Sequence, residues 1–237
     1  MKNSQKRIEE IISQCRLEKR NVLLEPEAEE VLSLYEVSFP KAKVVKTIEE
    51  AKLTAKRLGF PVALKVISPQ IVHKSDAGGV KVGLRSENEM ITAFQEIMEN
   101  TKNFNPDAEI RGVYLQKMAS PDGREVIVGA TTDAQFGQVI MFGLGGIFVE
   151  VLKDVVFRVA PVSRKEAKDM VKEIKGISIL EGVRGKGPID FDALHRTISN
   201  ISRLVIDFPQ FKELDVNPLY AYEDKILAVD ARIILAK

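Results

Sequence analysis

Residues 59–84, GFPVALKVISPQIVHKSDAGGVKVGL, contain two β-rich runs and the loop that joins them. The first run is PVALKVI, residues 61–67, and the second is GVKVGL, residues 79–84. Each run is short, rich in branched apolar side chains and bounded by glycine or proline, which predicts a pair of strands. The loop between them carries His73 and a glycine pair, so this stretch combines sheet structure with side chains that can carry chemistry.

Lys65 is a charged residue inside an otherwise apolar strand, VALKVI. An ammonium group among Val, Ala, Leu and Ile side chains needs a partner or an opening to water. One interpretation is a lysine on an edge strand that faces solvent. The other is an ammonium group that points into a cleft towards an anion such as phosphate. The run by itself leaves both interpretations open.

The loop SDAGGVKV, residues 75–82, is rich in glycine. Glycine lets backbone N–H groups approach phosphate oxygens because no Cβ stands in the way. The same composition is common in plain hairpin turns, and the loop matches neither the Walker A pattern nor the dinucleotide-binding fingerprint. A phosphate-binding loop and a simple turn are therefore both open at this point.

Polar positions alternate with apolar ones in ELDVNPL, residues 213–219. Alternate residues of a strand share a face, so Asp215 and Asn217 are expected to point the same way. Asp230 lies in LAVDAR, residues 227–232, on the next strand of a predicted hairpin. Two carboxylates and an amide oxygen are hard ligands, suited to a Mg²⁺ ion that also holds phosphates and water. The alternative is a polar outer face on an antiparallel sheet.

The segment YLQKMA, residues 114–119, leaves a strand-like run. Its residues Gln116, Lys117 and Met118 would form either a hinge whose backbone hydrogen-bonds a purine edge, or a plain connector. The turn-forming sequence SPDG follows at residues 120–123. We therefore expect a boundary between two lobes near residues 118–123.

The wider pattern indicates an α+β fold, because helices alternate with strands in the first half of the chain and strands cluster into hairpins in the second. Apolar residues at helical spacing and capping signals predict helices near residues 4–19, from Glu25-Pro26, after a capping box at Thr47 and Glu50, after Ser86, and near 163–175 and 190–207.

The composition excludes several classes of function. The 237 residues carry a formal net charge of +1 from 35 basic and 34 acidic side chains, and this balance argues against general nucleic-acid binding. No apolar run reaches the roughly 18–20 residues that a membrane-spanning helix needs. The first residues lack the apolar stretch of a secretory signal, so the expected location is the cytoplasm. Cys15 is the single cysteine, which rules out a disulfide framework and argues against a cysteine metal site.

Taken in order, these segments resemble the ATP-grasp subunit of NDP-forming acyl-CoA synthetases, a family related to the β subunit of succinyl-CoA synthetase. The resemblance covers nearly the whole chain. It is carried by residues 59–84, by REVIVGATTDAQFGQVIMFGLGGIFVEVLKDVVFRVAPV at 124–162, by LEGVRGKGPID at 180–190, and by ELDVNPL and VDAR within 213–232.

The resemblance implies an ATP-grasp fold of two α+β lobes with the nucleotide between them. The implied domains are N-terminal helices at residues 1–40, an N-terminal lobe at 41–119 and a C-terminal lobe at 120–237.

The resemblance also implies roles for residues that match the family motifs. Lys65 corresponds to the lysine that contacts the nucleotide phosphates, and Glu125 to an acidic residue near the ribose. Asn217 and Asp230 correspond to the Mg²⁺ ligands, with Asp215 as a further ligand or directly behind them. The flap over the phosphates corresponds to Asp76, Gly78, Gly79 and Val80, and the hinge against adenine to Gln116, Lys117 and Met118. Arg232 corresponds to the group that steadies phosphoryl charge. The wall of the cleft corresponds to Glu150, Lys153, Asp154 and Arg158.

His73 has a distinct implied role. In this family a phosphohistidine relay carries phosphate between two distant sites, and a histidine at this position in ADP-forming members resembles a second phosphate carrier. Imidazole suits the task because its neutral nitrogen is nucleophilic at physiological pH. His195, in contrast, lies at helical spacing without phosphate-binding neighbours, which indicates a structural or solvated residue.

The implied reaction is acyl-CoA + ADP + Pi ⇌ carboxylate + CoA + ATP, with Mg²⁺ as cofactor. A separate CoA-binding α subunit would form the acyl phosphate and present its own phosphohistidine, in an α₂β₂ assembly. Two other functions stay open from the residues. One is a stand-alone ATP-grasp carboxylate–amine ligase, which needs no His73, and the other is a non-catalytic nucleotide-sensing module.

Overall fold

The computed structural model describes residues 2–71, 73–146, 153–183 and 185–236. The chain divides into two compact units. One unit consists of residues 40–119, and the other combines residues 1–39 with residues 120–237. The N-terminal helices therefore belong to the same unit as the second half of the chain.

Helices and strands follow one another along the described chain in this order: α1 (Lys2–Leu17), α2 (Glu25–Ser33), β1 (Ala42–Val45), α3 (Ile48–Leu58), β2 (Val62–Ile67), β3 (Val80–Leu84), α4 (Glu87–Phe104), β4 (Gly112–Lys117), β5 (Arg124–Asp133), β6 (Gly137–Leu144), β7 (Val155–Val159), α5 (Arg164–Lys172), α6 (Ile177–Glu181), α7 (Phe191–Asp207), β8 (Phe211–Ala221), β9 (Ile226–Ala228) and β10 (Ala231–Leu235).

The 40–119 unit is built on a four-stranded sheet in the order β1-β4-β2-β3, with antiparallel pairing throughout. One face of this sheet packs against α3 and α4 and forms a single hydrophobic core with them. Leu64, Val66 and Leu115 are fully buried in that core. Burial of one sheet face against helices is the arrangement expected of an α+β unit.

The sequence signals at the ends of α3 act nearly as predicted. The Thr47 hydroxyl accepts a hydrogen bond from the Glu50 N–H at 3.2 Å. The Glu50 carboxylate accepts its bond from Lys46 N at 2.7 Å, one residue before the cap, so the capping box is only half formed. Gly59 ends the helix with φ of 74°, a conformation that glycine adopts without steric cost.

The other unit contains a six-stranded antiparallel sheet, in which β10, β8, β5, β6 and β7 lie in that order and β9 pairs with β8. Its inner face packs against α1, α2, α5 and α7 in one core. Val128, Phe142 and Val216 are fully buried there. Cys15 of α1 is also buried in this core.

The pairing of β5 with β8 contains an irregularity that affects the site. Val128 pairs with Val216 and Val126 pairs with Leu219, so a step of two residues along β5 corresponds to a step of three residues along β8. Asn217 and Pro218 thus oppose the single residue Ile127, which is the geometry of a β-bulge. The predicted α+β class is confirmed in both units.

His195 is a buried residue of α7, with 8% of its surface exposed. Its ring stacks on Phe191 with the ring centroids 6.0 Å apart. Burial lowers the pKa of the His195 imidazole, and Lys168 and Lys172 of α5 lower it further, while Asp192 opposes them. Of the two predicted possibilities, the structural one is therefore correct.

We expect the free energy of unfolding to decrease as the pH falls below 6.5, because the unfolded chain then takes up a proton at His195 that the folded chain resists. Above that pH the imidazole is neutral in both states and adds no pH dependence. The variant His195→Gln should therefore lose less stability than the parent between about pH 7.5 and about pH 5.5. Urea unfolding at both pH values measures the difference.

A buried residue of the same helix provides the control for this experiment. Thr197→Ser should keep the pH dependence of the parent chain, because it alters α7 without removing a titratable group. If His195→Gln and the parent lose stability equally, the buried imidazole does not carry the effect.

Within the described part of the chain, every helix is too short or too polar to span a membrane.

Candidate functional site

Lys65 lies on an interior strand of the 40–119 unit. Strand β2 is flanked by β4 and β3, with Lys65 opposite Tyr114 and Val80. The flanking residues Leu64 and Val66 face the helices, so Lys65 points to the other face of the sheet, and its exposed fraction is 6%. The interpretation of Lys65 as a solvent-facing lysine on an edge strand is therefore wrong. A buried ammonium on the sheet face away from the helices is suited to binding an anion.

The glycine pair after β2 has a local structural reason. A Cβ at Gly79 would lie 2.5 Å from Val66 Cγ1, and one at Gly78 would lie 2.8 Å from the amide nitrogen of Asn100. Gly78 also has a φ of +61°, which favours glycine. The N–H groups of Gly78 and Gly79 donate to Ser75 O and Lys74 O at 3.0 and 2.8 Å. Phosphate contact through these two amides would therefore require the turn to open.

His73 lies on an exposed arch between two anchored residues. Ile71 and Ala77 have exposed fractions of 2% and 3% and belong to the core of the 40–119 unit. The His73 side chain itself is exposed, as is that of Asp76. The arch is thus held at both ends by burial while its imidazole is open to solvent and to a reaction partner.

Gln116 is a residue of β4 whose register partners are Ala42 and Ala63, and its side-chain amide is buried. Its exposed fraction is 1%, and its Nε2 atom has no hydrogen-bond acceptor among the residues that the structure describes. A buried amide donor in this state is uncommon in folded proteins, and an acceptor on a ligand is one way to satisfy it.

The two following residues of the predicted hinge form local contacts. The Lys117 ammonium donates to Gly59 O at 3.1 Å and to Phe60 O at 2.7 Å. The N–H groups of Lys117 and Met118 donate to Lys41 O and Pro61 O at 2.9 and 3.1 Å. These backbone donors are already used, so a purine edge could not be bound through them without breaking these bonds.

The outer face of the six-stranded sheet brings the predicted Mg²⁺ ligands together. Leu214 and Val216 point into the core, so Asp215 and Asn217 lie on the opposite face of β8. The N–H of Asn217 donates to Asp230 O at 3.2 Å, which places Asp230 across from Asn217, directly before β10. The predicted hairpin is interrupted between β9 and β10, and Asp230 occupies that break.

The charges on this face fit a divalent cation. Burial raises the pKa of the Asp215 carboxyl, Arg232 opposes this shift and Asp230 adds to it. Two neighbouring carboxylates that are partly removed from water gain most from a cation placed between them. Among the residues described here, no group of three or more His, Cys, Asp or Glu side chains could hold a metal. Two carboxylates with an amide oxygen suit Mg²⁺, which keeps several water or phosphate ligands.

Arg232 lies on the same sheet face, on β10 opposite Asp215. Its guanidinium group is 3.8 Å from the Glu213 carboxylate, and the side chain is 45% exposed. A loose, exposed ion pair of this kind is weak, so the guanidinium group can turn towards a phosphate at little cost.

Glu125 lies near the start of β5, and its partner on β8 is Tyr220, a residue that the sequence analysis missed. The Tyr220 hydroxyl donates to Glu125 Oε1 at 2.9 Å, and the two residues are register partners between β5 and β8. The neighbouring Gly145 N–H donates to Glu125 O at 2.8 Å. Tyr220 therefore fixes the orientation of a carboxylate that would otherwise move freely in solvent.

The four residues assigned to a cleft wall have different positions. Glu150 lies outside the described residues. The Asp154 carboxylate is buried and accepts hydrogen bonds from Lys175 N and Gly176 N, both at 2.8 Å, so Asp154 stabilises the fold. Arg158 pairs with Glu173 on the helix side of the sheet. Lys153 has a φ of 48°, a left-handed conformation that is unusual for a lysine.

Comparison with known proteins places this architecture in a family. Residues 14–235 match the family model of the ATP-grasp domain. A protein of Pyrococcus furiosus named acetate–CoA ligase (ADP-forming) I subunit beta is 50% identical over 226 residues, which cover 95% of this chain and 97% of that protein.

Two solved structures of the dinucleotide forming acetyl-coenzyme A synthetase 1 of Ca. Korarchaeum cryptofilum have the same fold. One, in complex with coenzyme A, Ca-AMPCP and HgCl+, gives a TM-score of 0.91 at 45% identity and covers 96% of this chain and 99% of its own. The other, with coenzyme A and Mg-AMPPCP, has its phosphohistidine segment pointing towards the nucleotide binding site. It gives a TM-score of 0.84 at 41% identity and covers 97% of this chain and 100% of its own.

These comparisons confirm the expected ATP-grasp fold. The chain belongs to the ATP-grasp family and, within it, to the β subunits of ADP-forming acetate–CoA ligases.

Proposed function

We propose that this chain is the nucleotide-binding β subunit of an ADP-forming acetate–CoA ligase, in which acyl-CoA, ADP and Pi give carboxylate, CoA and ATP. The observation that carries this proposal is the similarity to the Pyrococcus furiosus β subunit over nearly the full length of both chains. The buried Lys65 and the face formed by Asp215, Asn217 and Asp230 supply the charges that phosphoryl transfer requires.

His73 is proposed to carry the phosphoryl group. One imidazole nitrogen attacks phosphorus on a phosphohistidine of the partner subunit, and the partner's N–P bond breaks as the new N–P bond forms. An oxygen of the ADP β-phosphate then attacks the same phosphorus, the bond to His73 breaks, and ATP is released with a neutral imidazole. An exposed side chain on an anchored arch can exchange partners in this way.

The remaining residues are proposed to bind the nucleotide and offset its charge. Lys65 provides a countercharge to the phosphates, and Arg232 turns from Glu213 towards the transferring group. Asp215, Asn217 and Asp230 would hold Mg²⁺, which neutralises phosphate oxygens when it is bound. Asp76 and Val80 would contribute to the flap, and Gln116 to recognition of the base.

A second subunit follows from the name of the Pyrococcus furiosus relative, which is a β subunit. We propose that the partner binds CoA, forms the acyl phosphate and selects the acid, and that the complex is an α₂β₂ tetramer. The chain alone should then bind nucleotide but should not catalyse the full reaction.

Reverse transfer from ATP tests the proposed function on the chain as it stands. Incubation with Mg²⁺ and ATP labelled in the γ-phosphate should place label on one histidine, with the acid lability and base stability of a phosphohistidine. A direct carboxylate–amine ligase or a nucleotide sensor would leave the chain unlabelled, and that result would refute the relay.

Lys65→Ala should weaken ADP binding by about 10–100-fold, the value of a lost charge-assisted contact at a buried position. Isothermal titration calorimetry with Mg²⁺ and ADP measures the change. Lys81→Ala is the matched control: it lies on the adjacent strand β3, pairs with Glu96 on the helix side, and should leave the ADP affinity unaltered. Equal affinity of Lys65→Ala and the parent would return Lys65 to a purely structural role.

A further inference from the structure

The contact between Tyr220 and Glu125 joins two strands at one end of the outer sheet face. Tyr220 is the register partner of Glu125, and its hydroxyl donates to Glu125 Oε1 at 2.9 Å. Glu125 is exposed and Tyr220 is half-buried, so the hydrogen bond lies where a ligand can reach the carboxylate.

We propose that Tyr220 is a positioning residue for the ribose of the nucleotide, acting through the Glu125 carboxylate. In this arrangement Tyr220 fixes the carboxylate so that its remaining lone pairs accept hydrogen bonds from the 2′- and 3′-hydroxyls. The inference rests on the proposed function, because it requires a bound nucleotide and takes Glu125 as the acidic residue near the ribose that the family resemblance implies.

The chemistry of the pair supports this role. Burial raises the pKa of the Tyr220 hydroxyl to about 12, and the hydrogen bond to Glu125 adds to the shift, so the phenol stays protonated and keeps donating at physiological pH. An ionised carboxylate can accept about four hydrogen bonds, and Tyr220 occupies one of these positions. Acceptors therefore remain for a diol.

Gly146 keeps the other carboxylate oxygen accessible. A Cβ at Gly146 would lie 3.0 Å from Glu125 Oε2, and the φ of Gly146 is +59°. The backbone conformation of Gly146 favours glycine. Because Gly146 has no side chain, it leaves room for a ligand atom beside Glu125 Oε2. Tyr220 holds one oxygen of the carboxylate, and Gly146, the residue beside the second oxygen, contributes no side chain there.

A second tyrosine, Tyr222, lies directly after the end of β8, two residues beyond Tyr220. The Tyr222 hydroxyl donates to Ser120 O at 2.8 Å, and its ring lies 6.3 Å from the Tyr220 ring. The Tyr222 hydroxyl therefore donates its hydrogen bond to a backbone carbonyl that precedes β5, whereas the Tyr220 hydroxyl donates to the Glu125 carboxylate. This difference makes Tyr222→Phe a matched control, since it also removes one hydroxyl from a neighbouring ring.

Binding of ADP and of 2′,3′-dideoxy-ADP, measured by calorimetry with Mg²⁺, tests the inference. Tyr220→Phe should lower the affinity for ADP about tenfold, because an unrestrained carboxylate must be ordered on binding. The same variant should bind dideoxy-ADP as the parent does, since that ligand lacks both hydroxyls. In a chain that already carries Glu125→Gln, Tyr220→Phe should cause no further loss of ADP affinity. The control Tyr222→Phe should change the affinities for ADP and for dideoxy-ADP by the same factor.

The outcomes separate the inference from the proposed function. Equal loss for ADP and dideoxy-ADP in Tyr220→Phe, or no loss for either, would overturn the positioning role while leaving nucleotide binding in place. Failure of the unaltered chain to bind ADP would overturn both. Thermal unfolding of each variant verifies that the hydroxyl was removed from a folded chain.

Discussion

Replacement of His73 by alanine is expected to reduce phosphate transfer from ATP to the chain by about a thousandfold or more, the scale on which loss of a catalytic nucleophile acts. ADP should still bind within about twofold of the parent affinity, since an exposed side chain is removed from an arch whose anchors, Ile71 and Ala77, stay buried. Rapid quenching of labelled reactions measures transfer, and calorimetry measures binding.

The second histidine makes this experiment specific. The chain has two histidines, so His195→Gln should leave labelling intact although it alters a buried contact in α7. Full labelling of His73→Ala would show that another group accepts the phosphoryl. A parallel loss of ADP binding would show that His73 holds the nucleotide instead of carrying phosphate.

Asp230→Ala is expected to lower the apparent Mg²⁺ affinity in the presence of ADP by at least about 10–100-fold, because even the outer partners of metal ligands have effects of that size. The loss should appear as a shift of the Mg²⁺ titration of nucleotide binding towards higher concentration. Asp230→Asn, which keeps an oxygen donor without the charge, should fall between the parent and the alanine variant.

A nearby acidic residue controls for general loss of negative charge. Asp224 lies in the turn that precedes β9 and is exposed, so Asp224→Ala should leave the Mg²⁺ titration unaltered. An unshifted curve for Asp230→Ala would mean that Asp215 and Asn217 bind the ion without Asp230, or that the ion binds elsewhere.

Sequence patterns predicted where the strands lie along the chain, but they did not predict which strands are neighbours in a sheet. The apolar run around Lys65 predicted a strand, and β2 confirms it, yet only the sheet order shows that the strand is internal. Alternation along one strand decides which residues share a face, but it contains no information about which strand pairs with it. The choice between a solvent-facing and an anion-binding lysine depended on that missing information.

The glycine pair and the hinge show a second limit of sequence patterns. Gly78 and Gly79 fit a phosphate loop by composition, whereas their packing against Asn100 and Val66 gives a steric reason for both. Lys117 matched a hinge, yet its ammonium group bonds to carbonyls of Gly59 and Phe60, 58 and 57 residues away in the chain. Composition describes what a residue can do, and distant backbone atoms decide which of these it does.

The bulge at Asn217 and Pro218 resets the phase of β8. Asp215 and Tyr220 are separated by an odd number of positions, so strict alternation would send one of them into the core, and the extra residue instead presents both on the outer side. The proposed cation ligand Asp215 and the proposed positioning residue Tyr220 therefore share one face of β8 because of this single extra residue. Deleting Pro218 alone would leave Asp215 and Tyr220 an even number of positions apart, so a regular strand would still present both on the outer side, whereas deleting Asn217 and Pro218 together would turn one of the two inward.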